Sequence, residues 1–227
     1  MKCYAISDIH GNIEEFNKVL KYINLQEDNK LILLGDFIHG PKSYEVLDKI
    51  MELEITYGKE KIIALMGNHE EIVFECDIPI GISKEGMFYN DPLKDNEYYK
   101  KWMEKLPRYY ETDKQIFVHA GINETGKDFK EVTKDYEYIQ KYPITIGKYH
   151  KDIIAGHTRT NYFWRNKNCH DIYFDGSSHY FIDGSVNEGG QLNVLMYDDL
   201  TDKYYELKNN RFIKINYRLK IIRDKLF

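Results

Sequence analysis

Apolar residues along this chain come in short runs, and each run ends on small or polar residues. Tyr4, Ala5 and Ile6, bounded by Ser7 and Gly11, read as a short buried strand. Ile13, Phe16, Val19, Leu20 and Ile23 then recur at helical spacing, and Asn12 and Glu15 stand at the interval of a capping box. Lys30 to Leu34 is a second strand, ending in Gly35-Asp36, and Tyr44, Leu47, Ile50, Met51 and Ile55 mark a second amphipathic helix. Lys61 to Met66 is a third strand, ending in Gly67-Asn68-His69-Glu70. Three strand–helix units in succession predict a parallel sheet with polar residues at the carboxyl ends of its strands. Open α/β sheets place their sites at that edge.

From 76 to 97 the period is lost among Pro79, Gly81, Gly86 and Pro92, which predicts an insertion or lid loop beside the site. A short helix carrying Tyr98, Trp102 and Leu106 stops at Pro107. Gln115 to Val118 is a strand ending in His119-Ala120-Gly121, the polar stretch Glu124 to Tyr142 reads as helical, and Asp152 to Ala155 is a strand ending in Gly156-His157-Thr158. Beyond it, Ile172–Phe174, Tyr180–Ile182, Leu192–Tyr197 and Tyr204–Leu207 are short strands split by Asp-Gly, Gly-Gly and Asp-Asp turns. They predict a second sheet packed on the first. No repeat or linker divides the chain, so residues 1–227 read as one domain. Its basic extension, 211–227, reads as an edge strand or terminal helix with a solvated face.

Composition narrows the partners. The 32 Lys and Arg against 37 Asp and Glu leave a net charge of −5, which does not favour a nucleic-acid backbone. No apolar run approaches the roughly 18 residues of a membrane span, and Met1-Lys2 leads straight into the first strand. Cys3, Cys76 and Cys169 are odd in number and far apart, so they read as inert thiols of a reducing compartment. A cytoplasmic location is the default expectation.

The chemistry lies at the strand ends. Asp8 and His10 are two residues apart, which in an extended segment puts both side chains on one side of the backbone. With Asp36, Asn68, His69, His119 and His157 they supply a carboxylate to bridge and oxygen and nitrogen ligands to flank it. That donor set suits two divalent ions such as Mn²⁺, Fe²⁺ or Zn²⁺. A lone Asp, Asn or His at a strand end is more often a turn former or helix cap; the ordered set carries the reading. His150, His170 and His179 have no motif around them and read as structural, and Glu70 reads as a helix-starting or supporting residue. No Gly-rich P-loop and no Ser-His-Asp grouping competes.

Asp8-Ile-His10-Gly-Asn, Gly35-Asp36, Gly67-Asn68-His69-Glu70, His119-Ala-Gly and Gly156-His157 resemble, in order, the five motifs of the calcineurin-like metallophosphoesterases. The nearest branch is that of serine/threonine protein phosphatases and bacterial diadenosine tetraphosphatases, and the resemblance covers roughly residues 2 to 200. It implies two mixed β-sheets sandwiched between helices, an α/β fold. By resemblance, Asp8, His10 and Asp36 would hold one metal, and Asp36 would bridge to a second held by Asn68, His119 and His157. His69 would donate a proton to the leaving group, and Asn68 would also touch the substrate.

One motif departs from the family pattern. Gly-Asp-aromatic-aliphatic-Asp-Arg-Gly-Pro is replaced by Gly35-Asp36-Phe37-Ile38-His39-Gly40-Pro41, with His39 where an Asp that orients the catalytic His and a phosphate-gripping Arg would stand. No Arg lies between His119 and His157; Arg159 is the local substitute, with Arg165 behind it. The expectation is a metal-dependent phosphoesterase acting on a phosphorylated small molecule, a nucleotide or a phosphoprotein. Its alternatives are a dinucleoside polyphosphate hydrolase specifically, a serine/threonine protein phosphatase, or a metal-binding regulatory protein that has lost turnover.

Overall fold

Strand β1 (Lys2–Ile6) is buried along nearly its whole length, and its side chains alternate between two cores. Tyr4 and Ile6 face one core, Cys3 and Ala5 the other. Helix α1 (Ile13–Leu20) leads to β2 (Lys30–Leu33), and α2 (Ser43–Tyr57) leads to β3 (Ile62–Ala64). Phe16, Val19, Val46 and Leu47 of these helices enter the first core, so β1, β2 and β3 pair in parallel beneath them. Ile55 does not join that stripe and is exposed. The spacing of Asn12 and Glu15 does not close a capping box either, because the Asn12 side chain donates to the Ile9 and His10 carbonyls instead.

The computed structural model describes residues 1–83 and 86–215. After α3 (Asn68–Glu75) comes a hairpin of β4 (Gly81–Ile82) and β5 (Phe88–Tyr89), then α4 (Asn96–Met103). The stretch 76–97 is thus partly regular, although its glycines and prolines hide any period. Strand β6 (Tyr109–Glu111), which the sequence reading misses, pairs with β7 (Gln115–Val118). The segment from Glu124 to Tyr142 holds two short helices, α5 (Phe129–Val132) and α6 (Asp135–Gln140), rather than one. Strand β8 (Asp152–Ala155), α7 (Thr160–Trp164), β9 (Tyr173–Phe174), β10 (His179–Phe181), β11 (Leu195–Asp198), β12 (Lys203–Lys208) and β13 (Arg211–Lys214) complete the order.

The strands form a six-stranded sheet, β13-β12-β11-β1-β2-β3, and a five-stranded sheet, β6-β7-β8-β10-β9. Both are mixed. The C-terminal strands therefore do not form a sheet of their own: β9 and β10 join β7 and β8, while β11 pairs antiparallel with β1. That pairing satisfies the backbone groups along the other edge of a largely buried strand. The sheets face each other across Ala5, Ile32, Phe117, Ile154 and Tyr180, and helices cover the outer face of the first core. The basic stretch begins as the edge strand β13, as expected, and residues 216–227 lie outside the described residues. Among the described residues no helix is long and apolar enough to cross a membrane.

His179, expected to be structural, is a buried staple between distant segments. Its Nδ1 lies 3.1 Å from Asp175 Oδ2 and its Nε2 3.2 Å from Glu124 Oε1. Burial pulls the imidazolium down, but the two carboxylates overcome it and lift His179 to about 9. Burial raises Asp175, yet the bond to His179 and three backbone N–H groups hold it at about 2. The His179 contribution to stability is therefore complete below about pH 6.5 and lost as pH rises through about 9. Wild-type protein should lose a few degrees of Tm between pH 7 and 9.5 from this source, since about 1 kcal/mol moves Tm by about 2–4 °C at this size. His179→Gln should flatten that part of the curve; an unchanged slope in the variant would contradict the staple.

Candidate metal centre

The turns that follow β1, β2, β3, β7 and β8 are laced together. Asp8 N–H donates to the Gly35 carbonyl (3.1 Å), His10 N–H to that of Asp36 (2.9 Å) and Gly11 N–H to that of Phe37 (2.9 Å). Asp8, His10, Asp36, His39 and His157 all have φ between 46° and 59°, the left-handed region that non-glycine residues avoid. Asp8 and His10 thus converge through a tight turn, not through the extended segment that their spacing suggested. Two glycines allow the close approach: a Cβ on Gly67 would lie 2.3 Å from Asp36 Oδ1, and one on Gly156 2.3 Å from Asp8 Oδ2.

Asp36 is the meeting point. Its Oδ1 accepts the backbone N–H of His69 at the start of α3 (3.0 Å). Its Oδ2 faces three imidazoles: His119 Nε2 at 3.4 Å, His10 Nε2 at 3.6 Å and His69 Nε2 at 3.8 Å. One ligand atom each from His10, Asp36 and His69, and likewise from Asp36, His119 and His157, lies within 4.8 Å of the others in its group. Asp8 Oδ2 accepts the His157 N–H (3.0 Å). Asn68 Oδ1 lies 3.0 Å from His119 Nε2.

Hydrogen bonds fix the direction of the lone pairs. A carbonyl only accepts, so His10 Nδ1 donates to Ile38 O (3.0 Å) and His119 Nδ1 to Leu34 O (2.8 Å). Neutral, both rings then turn an Nε2 lone pair toward the Asp36 carboxylate, the orientation that metal-ligating histidines take. Around His119 Nε2 this sets acceptor against acceptor, a conflict that either a proton or a cation resolves. The charges show the strain: against its burial, Asp36 and Asp8 lift His119 to about 10. Burial pushes Asp8 up to about 6, and burial with the neighbouring His119 charge drives His157 down to about 4. Hard oxygens and oriented imidazole nitrogens around a buried carboxylate fit divalent ions, whose charge would favour an ionised Asp8 and neutral His119 and His157.

The dyad behind the cage is also oriented. His39 Nε2 donates to Pro79 O (3.0 Å), so its Nδ1 must accept from His69 Nδ1–H at 2.7 Å. His69 then presents Nε2 to the site. Burial and the adjacent His69 lower His39 to about 4, so it accepts as a neutral ring. Arg159 is not gathered in; its guanidinium pairs with Glu188 at the surface.

Two further carboxylates sit beside the gathered turns: Glu70, expected as a helix-starting or supporting residue, and Asp183, which the sequence does not single out. Glu70 is fully buried, and its oxygens accept N–H groups from Asp36 (2.8 Å), Phe37 (2.8 Å) and Gly67 (3.0 Å). Burial and the Asp36 charge push it to about 7. Asp183, in a stretch read as an Asp-Gly turn between strands, is buried. Its Oδ1 accepts the Ser185 N–H (2.7 Å), and burial and the Asp8 charge raise it to about 7. A carboxylate within two residues of the end of an apolar run, as at Asp8 and Asp36, was the available signal.

A family model described as calcineurin-like phosphoesterase matches residues 1–211. A symmetrical bis(5'-nucleosyl)-tetraphosphatase of Wigglesworthia glossinidia brevipalpis is 36% identical over 129 residues, covering 54% of this chain and 45% of that protein. A Shewanella-like protein phosphatase 1 of Plasmodium berghei is 32% identical over 146 residues, 54% of this chain and 39% of that one. The matches take in less than half the length of these relatives. Among solved structures, a cold-active protein-tyrosine phosphatase of a psychrophilic Shewanella superposes with a TM-score of 0.63 at 14% identity, covering 95% of this chain and 80% of that one. That likeness is one of fold.

Glu70 gives the direct test of the lacing. Glu70→Ala strands three buried donors, which should cost on the order of 3 kcal/mol and lower Tm by about 6–12 °C. Glu70→Gln keeps one acceptor oxygen and should lose about half as much. Differential scanning calorimetry that finds Glu70→Ala within 2 °C of wild type would show that the clamp does not hold the turns together.

Proposed function

Because the chain belongs to the calcineurin-like phosphoesterase family, we propose that it hydrolyses phosphoric esters or anhydrides with the help of two divalent ions, Mn²⁺, Fe²⁺ or Zn²⁺. The observation that carries this reading is Asp36 Oδ2, faced by the Nε2 atoms of His10, His69 and His119. Asp8, His10 and Asp36 would hold one ion, and Asp36, Asn68, His119 and His157 the other. Bound there, such a pair supplies an acidified water and neutralises charge on the phosphoryl oxygens.

The chain's own residues do the rest. The Leu34 and Ile38 carbonyls hold two imidazoles in the ligating tautomer. His69, fixed through Nδ1 by His39, is aimed to give a proton from Nε2 to the leaving oxygen. A neutral His39 orients that ring without the negative charge that would favour its protonated form. Burial also lowers His69, so the ring seldom carries the proton to donate, which suits leaving groups that depart as anions. Phosphoanhydrides of nucleotides are accordingly the preferred substrates, ahead of phosphoserine in proteins. The name of the Wigglesworthia relative points to the same class.

Arg159 remains the nearest candidate for gripping phosphate and would have to leave Glu188 to do so. That pairing is the observation favouring the rival reading, a metal-binding regulatory protein without turnover. We further place the chain in the cytoplasm as one domain, with the hairpin of 76–97 as a lid and without a nucleic-acid partner.

Two experiments test this. Asp36→Asn should cut Mn²⁺-stimulated hydrolysis of ATP at least a hundredfold while leaving the circular dichroism spectrum intact; near-normal turnover would remove Asp36 from the centre. Wild type without any Mn²⁺-stimulated turnover of ATP or aryl phosphate would favour the regulatory reading. In the second, His39→Ala should reduce kcat more on phosphoserine peptides than on ATP, by roughly tenfold if one general-acid contribution is partly lost. Equal losses on both would contradict the role given to His39.

A further inference from the structure

Helix α7 begins three residues after His157 and forms one wall of a cavity of about 690 Å³, within the size range of small-molecule sites. Tyr142, Ile146, Tyr162 and Phe163 line it, together with Asn161, Arg165 and Lys167. Three large apolar side chains of this lining are exposed, Tyr142 at 87%, Tyr162 at 68% and Ile146 at 58%. Phe163 is held rigidly, stacked on Phe181 at 4.0 Å and on Tyr173 at 5.0 Å. In a chain of net charge −5, this lining carries two cations and no carboxylate. Among the described residues, neither Arg165 nor Lys167 has a carboxylate partner within ion-pair distance.

Rings, an amide and unneutralised cations suit an anionic ligand that carries an aromatic group. The chain from His157 to Asn161 spans at most about 15 Å, a reach that a nucleoside with a short phosphate chain can bridge. We propose that this cavity is a nucleoside subsite: it holds the base and ribose of a nucleotide whose phosphates extend toward the Asp36 cage. Tyr142 and Tyr162 supply stacking faces, and Arg165 and Lys167 meet the phosphates nearest the ribose. This inference rests on the phosphohydrolase reading for its orientation, and the site itself can be tested without catalysis.

Adenosine, which carries no phosphate, is titrated into the full chain in excess EDTA and followed by calorimetry. Wild type should bind it, and Tyr162→Ala should weaken binding roughly tenfold, about the size of one lost base–aromatic stack. With Mn²⁺ present, the ratio of kcat/KM for ATP to that for inorganic tripolyphosphate should fall by a similar factor in the same variant. If adenosine binds in a Tyr162-dependent way while no phosphate compound is hydrolysed, the subsite stands and the hydrolase reading fails. If adenosine does not bind, or binds wild type, Tyr142→Ala and Tyr162→Ala alike, the subsite is overturned whatever the hydrolysis. An unchanged ratio of ATP to tripolyphosphate in Tyr162→Ala overturns it as well.

Discussion

A buried carboxylate with one oxygen committed and the other facing three imidazoles is the constraint on which this molecule depends. Asp36 is held well below the usual carboxylate range because His119, His10 and His69 outweigh its burial. An isolated charge in such a place would cost several kcal/mol, so the surroundings must keep their positions. Glu70 ties the turn after β2 to the start of α3, and the Asp8 turn is laced to Gly35, Asp36 and Phe37. Left-handed backbone at five of the gathered residues adds strain that only such lacing can maintain.

The fold serves that constraint. Parallel strands β1, β2 and β3 bring three turns side by side in the first sheet, and β7 and β8 bring two more from the second. Because the sheets pack on each other through Ala5, Ile32, Phe117 and Ile154, ligands from both can meet at Asp36. The hairpin of β4 and β5 reaches the same place from outside. Pro79 accepts from His39, and Phe88 lies edge-on to the same ring at 5.2 Å. Pro79 and Phe88 thus pack against the ring that orients His69.

Much of this was legible in the sequence. Short apolar runs ending in Asp8, Asp36, Asn68, His119 and His157 are local patterns, and the structure gathers those five residues and His10 at one place. What was hidden is non-local or conformational. Periodicity identifies a strand but not its neighbours, so the division of β9 to β13 between two sheets could not be read. The Glu70 clamp acts across more than thirty residues. Asp183-Gly184 matches a turn signal, and only burial beside Asp8 distinguishes it. The replacement of an Asp by His39 was visible, yet its tautomer follows from Pro79, forty residues away.

In the proposed centre Asp36 would be shared by two divalent ions. Anomalous diffraction from crystals soaked in Mn²⁺ should show two peaks about 3.5–4 Å apart flanking Asp36, one beside His10 and the other beside His119. A single peak away from Asp36, or none at saturating Mn²⁺, would contradict it.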